Sequence, residues 1–413
     1  MTPIRPDPRS FLACLLALTA GFAEAGTLTA EIHHIPSPLP TPNGRVLVYE
    51  LAVRNFSGAC ARIVDVRAFG DGEALRRYQG SSIAPNTLVY DAQMQPLPNP
   101  AAGQTRIHPV DLPAGGGAVV YFFLAFDNNL PLPARLQHEV DSTACSAGAS
   151  TRSTATTESA ISRAAPVMVG LPFRGTGWVA GDSANDFGTH RRTLIPGRRA
   201  DGSVIVGQFS APERYAIDWV KVDDQARRAI GPLDRNASYL AWGEEIIAVA
   251  DGVIAGIRDG MPESTPPRNP PNPTVEMAGG NYIMQDIGGG HFAFYAHLQP
   301  GSLRVRVGQP VQRGQLIARL GNSGNTSEPH LHFHVSSNPD PLYSEGLPYV
   351  FERYELTGQA NDMEDGGNLF SDLSTQAPSP KFSLMPASYS VLNADVTVSG
   401  PAGWAFPILY PNH

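Results

Sequence analysis

Residues 328–335 read EPHLHFHV, with His330, His332 and His334 separated by single apolar residues. The whole chain of 413 residues holds eleven histidines, so three within five positions need a physical reason. Side chains on a β-strand alternate faces with period two. Read as a strand, the stretch sets the three histidines on one face and points Leu331, Phe333 and Val335 into a core. Same-face neighbours on a strand lie roughly 6–7 Å apart at Cα, so one imidazole can bind a metal while the next faces its open coordination position. A metal site, a catalytic pair and a strand of hydrogen-bonded histidines all remain open from this stretch alone.

Two other stretches supply partners. FAFYAHLQ (292–299) alternates as Ala293, Tyr295 and His297 against Phe292, Phe294 and Ala296, so His297 is expected to project from the polar side of an otherwise apolar strand. ERYAIDWVKVD (213–223) reads as a buried strand interrupted by Asp218. An ionised carboxylate there needs a cation, a donor network or a metal, and an arginine salt bridge is the plain structural alternative. The upstream histidine available to share a metal with Asp218 is His190, in FGTHRRTL (187–194). Two imidazole nitrogens and one carboxylate oxygen form a zinc set with a fourth position left open. No HExxH helix is present, so leftover histidines are the natural proton carriers.

The rest of the sequence frames this cluster. Hydrophobic residues make up 42% and charged residues 16%, which describes a globular chain, and 41 glycines with 38 prolines favour many turns and mostly β structure. Residues 1–25 join Arg5 and Arg9 to an apolar run from Phe11 to Ala20 and an A-x-A-like end, Ala23-Glu24-Ala25. That pattern is expected of a secretory signal peptide, and the run is too short to span a bilayer. Its removal leaves 28 basic against 36 acidic residues, still a net charge of −8. A mildly acidic exported protein has no electrostatic route to nucleic acid, and no stable membrane span is expected after cleavage. Cys60 and Cys145 remain, and an even count in an oxidising compartment predicts a disulfide.

Residues 26–145 carry short strands, RVLVYELAVRNF, ARIVDVRAF and GGAVVYFFLAF, between Pro, Gly and Asn clusters, and predict an immunoglobulin-like β-sandwich. His33, His34, His108 and His138 are scattered there without repeated spacing and read as surface or hydrogen-bonded histidines. Residues 146–164 are rich in Ser, Thr and Ala and read as a linker. Residues 165–355 carry hairpin signals: Asp251-Gly252 inside IIAVADGVIAGI and Gly288–Gly290 inside NYIMQDIGGGHFAFYAHL. Between them lies DGMPESTPPRNPPNPTVE (259–276), a proline-rich loop that is either a groove wall or a surface insertion. Residues 356–413 form a polar C-terminal extension that ends more apolar, and the sequence leaves open whether it packs on the preceding domain.

GNSGNTSEPHLHFHV resembles the signature of the lysostaphin/LytM-type, or β-lytic, zinc metallopeptidases. YAHLQPGSLRVRVGQPVQRGQLIARLGNSG and VADGVIAGI are similar to the segments before it, so the resemblance covers about 185–350. The resemblance implies an antiparallel β-sheet metallopeptidase domain, one zinc ion per chain, and hydrolysis of peptide cross-links in bacterial peptidoglycan, in a periplasm or outside the cell. It implies His332, Asp218 and His190 as metal ligands and His330 and His297 as catalytic residues. A non-catalytic LytM-like regulator of other wall hydrolases is the rival reading. Two positions depart from the family pattern. Arg214 stands four residues before Asp218, where the family commonly has its first histidine, and His190 lies 28 residues before it. His334 stands where a glutamate often follows, which makes it a neighbour of the ligands or an exposed residue.

Overall fold

The computed structural model describes residues 28–97, 110–146, 151–185, 188–271, 274–360 and 373–394; the signal-like stretch 1–25 lies outside them. The chain is mostly β and its sheets are largely antiparallel. Among the described residues no helix is long and apolar enough to cross a membrane.

Two five-stranded sheets form the N-terminal part. One holds Leu28–Glu31, Pro38–Thr41, Gly44–Asn55, Gly117–Phe126 and Thr87–Tyr90; the other holds Ser153–Ala160, Arg135–Ala144, Ala61–Gly70, Glu73–Gln79 and Val110–Leu112. Leu47, Tyr49, Leu51, Val53, Val120 and Phe122 of the first meet Val66, Ala68, Leu136 and Val140 of the second in one apolar core. The disulfide Cys60–Cys145 is present, with Cα atoms 5.5 Å apart. It closes the end of a ladder in which Ala61 pairs with Ala144, so it staples two strands of one sheet. This differs from the immunoglobulin pattern, in which the bridge joins the two sheets. Part of the stretch read as a linker is an edge strand: Ser153–Ala160 pairs with Arg135–Ala144, its threonines suited to a pleated edge although it buries little beyond Ala155.

The first sheet is covered on both sides. Along Gly44–Asn55, Leu47, Tyr49, Leu51 and Val53 enter the sandwich core, while Val46 and Val48 join the core of the following region and Ala52 packs with Phe209. That is why RVLVYELAV is continuously apolar where a half-exposed strand would alternate.

An eleven-stranded sheet carries the rest. Its central order runs Trp178–Gly181, Ile217–Lys221, Leu331–Ser336, Phe292–Leu298, Asn281–Asp286, Gly252–Arg258. The segments Tyr349–Ala360, Leu373–Leu384 and Ser390–Asn393 extend it, so the described part of the C-terminal extension packs as sheet. Asn281–Asp286 and Phe292–Leu298 pair as expected around the three glycines. The hairpin expected at Asp251-Gly252 does not form: Glu245–Ile247 pairs with Leu316–Arg319, and Gly252–Arg258 pairs with Asn281–Asp286. Gly252 serves a close approach instead, since a Cβ there would lie 2.1 Å from the Asp286 carbonyl oxygen.

His138 is buried in the sandwich, its Nε2 2.8 Å from the Tyr49 hydroxyl. Burial holds its pKa down at about 4, from an ordinary value of 6.5. As pH falls through that window the unfolded chain binds a proton that the folded chain refuses, so stability is full above pH 6.5 and declines below it. We expect urea denaturation to show the parent losing about 2 kcal/mol more stability than His138→Gln between pH 7.5 and 5.

Candidate metal centre

Three neighbouring strands build the site. In the ladder between Ile217–Lys221 and Leu331–Ser336, Asp218 stands directly opposite His332, and His332 stands opposite Ala296 of Phe292–Leu298. Leu331, Phe333 and Val335 enter the core, as the alternation requires. His332 Nδ1 lies 3.0 Å from Asp218 Oδ1. His190 Nε2 lies 3.2 Å from Asp218 Oδ2, although 28 residues separate the two in sequence. Ligand atoms of His190, Asp218 and His332 all fall within 4.8 Å of one another.

Outer contacts fix which nitrogen each histidine presents. His190 Nδ1 lies 3.2 Å from the backbone carbonyl of Asp182; a carbonyl only accepts, so Nδ1 carries hydrogen and Nε2 faces Asp218. Asp182 Oδ2 also accepts from the Thr189 and His190 amides at 2.9 and 3.3 Å, which holds the short turn His190–Arg192 in place. His332 turns Nδ1 to Asp218 and Nε2 to His334 Nδ1, 3.0 Å away, with a Glu213 carboxylate oxygen at 3.9 Å. His334 is therefore a buried partner of His332, 1% exposed, and not a surface residue. Partners of this kind set ligand orientation and basicity. Asp182 and Glu213 carry no signal in the sequence that marks them out; they are found only by proximity.

His330 and His297 flank this group. His330 Nε2 lies 3.4 Å from Asp218 Oδ1, and its Nδ1 donates to the Glu328 carbonyl at 2.9 Å. The His297 ring is 4.5 Å from the His330 ring, and its Nδ1 donates to the Ser323 carbonyl at 2.7 Å. Simple alternation would put His297 beside Ala293 and Tyr295, which face the core, away from His332. Its backbone φ of 62° breaks the alternation and turns the ring to the site face. A left-handed non-glycine residue costs of order 1–3 kcal/mol and persists where surroundings over-determine it. Here the His297 amide donates to Gly279 O at 3.0 Å, and its carbonyl accepts from the Gly321 amide at 3.0 Å.

The charge balance suits a cation. Burial works against charge at Asp218, but His190 and His330 outweigh it and hold the carboxyl well below its usual range. Burial likewise opposes charge on His190, yet Asp218, with help from Glu213 and Asp182, pushes its pKa up to about 10. The carboxylate that keeps a proton on His190 would equally hold a metal ion in its place. Asp218 keeps 29% of its side chain exposed, so the group opens toward solvent. Two imidazoles, one carboxylate and an open side fit zinc. By contrast, burial and the neighbouring His330 and His332 hold the His297 pKa well below its usual value, and burial and His332 do the same to His334.

Residues 238–343 match the profile of peptidase family M23. The chain carries an M23 peptidase domain. The matched span includes His297, His330 and His332, while His190 and Asp218 lie upstream of it. Peptidases of family M23 are zinc-dependent. Peptidoglycan DD-endopeptidase ShyA of Vibrio cholerae is 36% identical over 63 residues, 15% of this chain and 14% of that protein. An uncharacterised metalloprotease of Haemophilus influenzae is 35% identical over 113 residues, 27% of this chain and 23% of its own. The chain thus spans less than a quarter of the length of these curated relatives. The catalytic domain of lysostaphin from Staphylococcus simulans matches at 23% identity, covering 29% of this chain and 84% of that domain, with a TM-score of 0.19.

Asp234, Met261–Pro271, Met277, Gly324 and Asn325 line an open cavity of ≈730 Å3. Glu263 ties the proline-rich loop down, accepting from Trp242 Nε1 and the Asn322 amide, each at 3.0 Å. The same 322–325 turn supplies the carbonyl that holds His297.

The left-handed backbone at His297 makes a stability prediction. Asparagine tolerates that conformation and β-branched residues do not. We expect His297→Asn to fold within about 1 kcal/mol of the parent and His297→Val to lose about 2 kcal/mol or more in chemical denaturation.

Proposed function

We propose that the protein is an exported zinc-dependent endopeptidase that hydrolyses peptide cross-links of bacterial peptidoglycan, with one zinc ion per chain. The observation that carries this reading is the convergence of His190, Asp218 and His332 within 4.8 Å, with the His297 and His330 rings 4.5 Å apart alongside. A non-catalytic regulator has no need of a complete ligand set beside two further oriented histidines. The substrate class is supported by the relative that is named a peptidoglycan DD-endopeptidase. Export is supported by the signal-like leader and by the disulfide.

His190 Nε2, an Asp218 oxygen and His332 Nδ1 would hold the ion. Zinc bound there supplies Lewis acidity, polarising a carbonyl and lowering the pKa of water. His297 and His330 each commit Nδ1–H to a backbone carbonyl, so each keeps Nε2 as the atom that takes or gives a proton. Their fixed rings accept the proton of the attacking water, steady the oxyanion and return a proton to the leaving amine. The proline-rich loop and the 322–325 turn wall the groove in which an extended peptide lies. The sandwich positions the M23 domain.

Purified cross-linked peptidoglycan should release peptides when incubated with the mature protein, and chelation should stop the release. His332→Ala should lose both zinc and activity. His297→Ala and His330→Ala should keep zinc, measured by elemental analysis, while the rate falls about 10²–10⁴-fold. A mature protein that binds zinc yet releases nothing would favour the regulator reading, and one that binds no zinc would end the enzyme reading.

A further inference from the structure

The segment between His190 and Asp218 is also the segment that docks the N-terminal sandwich. Arg191, the neighbour of His190, is 1% exposed, and its guanidinium donates to Phe122 O of the sandwich at 2.9 Å and to Asn185 O at 3.2 Å. Arg192 donates to Pro85 O at 2.7 Å, and the Tyr121 hydroxyl donates back to Arg192 O at 3.4 Å. The hairpin of Ile195–Arg198 and Val204–Ser210 then lays Leu194, Val206 and Phe209 on Ala52, Val119 and Tyr121. The strap re-enters the M23 sheet at Arg214, which pairs with Glu50 of the sandwich at 2.8 Å and with Glu345 at 2.8 Å. So the first ligand sits at one end of a sandwich-bound strap and Asp218 just beyond the other.

A three-residue turn has no stability of its own, and His190 takes its position from whatever clamps it. Those clamps are Asp182 on one side and the sandwich, through Arg191 and Arg192, on the other. We infer that the N-terminal sandwich is a structural part of the metal centre: Arg191 and Arg192 are positioning residues that hold His190 within reach of Asp218 and His332. Domain docking and zinc affinity are then coupled, and by linkage zinc in turn tightens docking. The inference rests on the zinc reading given above and adds to it a dependence on the sandwich.

The test uses the full chain and reads the zinc dissociation constant by competition with a chromophoric chelator, with the visible spectrum of the cobalt(II) form reporting the ligand set. Arg191→Met should weaken zinc binding about 10–100-fold, the range for residues that orient a metal ligand, and shift the cobalt spectrum toward that of His190→Ala. Arg192→Ala, a milder change at a part-exposed residue, should weaken it about threefold or more, and it decides the matter alone if Arg191→Met does not fold. Arg191→Lys should recover part of the affinity. Folded arginine variants with parental zinc affinity, beside a His190→Ala that loses it, would overturn the inference and spare the metal centre. A parent chain that binds no zinc would instead remove the metal reading itself.

Discussion

Asp218 opposite His332 is the constraint on which the site depends. In an antiparallel ladder, directly opposed residues share a face, and a slip of one residue sends every side chain to the other side. The apolar partners Trp219, Leu331 and Phe333, all buried, make such a slip prohibitive by forcing the core face inward. The packing of the M23 core and the pairing of a carboxylate with an imidazole are therefore one decision. His190, His330 and His297 are added to a pair whose relative position is already determined by the ladder.

What the sequence made legible follows from period two. EPHLHFHV declared its two faces in its own alternation, and the structure keeps them. Asp218 was visible as a carboxylate inside an apolar run, and NYIMQDIGGGHFAFYAHL as two strands about a glycine turn. His190 is legible only as the histidine available upstream of Asp218, since 28 residues of spacing do not by themselves bring the two together.

The rest was illegible for physical reasons. The family resemblance names His297, but alternation does not bring it to the site: its backbone leaves the β region there, and no composition signal announces a positive φ at a histidine. Asp251-Gly252 has the residues of a tight turn, yet here glycine is required by a neighbouring carbonyl, a need that sequence cannot separate from a turn. The continuous apolar run RVLVYELAV carries a signal of its own. A strand with both faces apolar has both faces covered, and its second cover is the M23 region and the strap.

That doubly covered sheet limits how the two parts can be inherited. Sandwich and peptidase regions that met only through a tether could be shuffled between genes as separate modules. Here a peptidase region joined to a foreign N-terminal partner would lose Glu50 from the pair of carboxylates that Arg214 bridges and keep only Glu345, a weakened buried ion cluster. The sandwich on its own would present Val46, Val48, Ala52, Val119 and Tyr121 to water as one apolar surface. Recombination at this junction is disfavoured from both sides, so the two regions should travel through evolution as one unit.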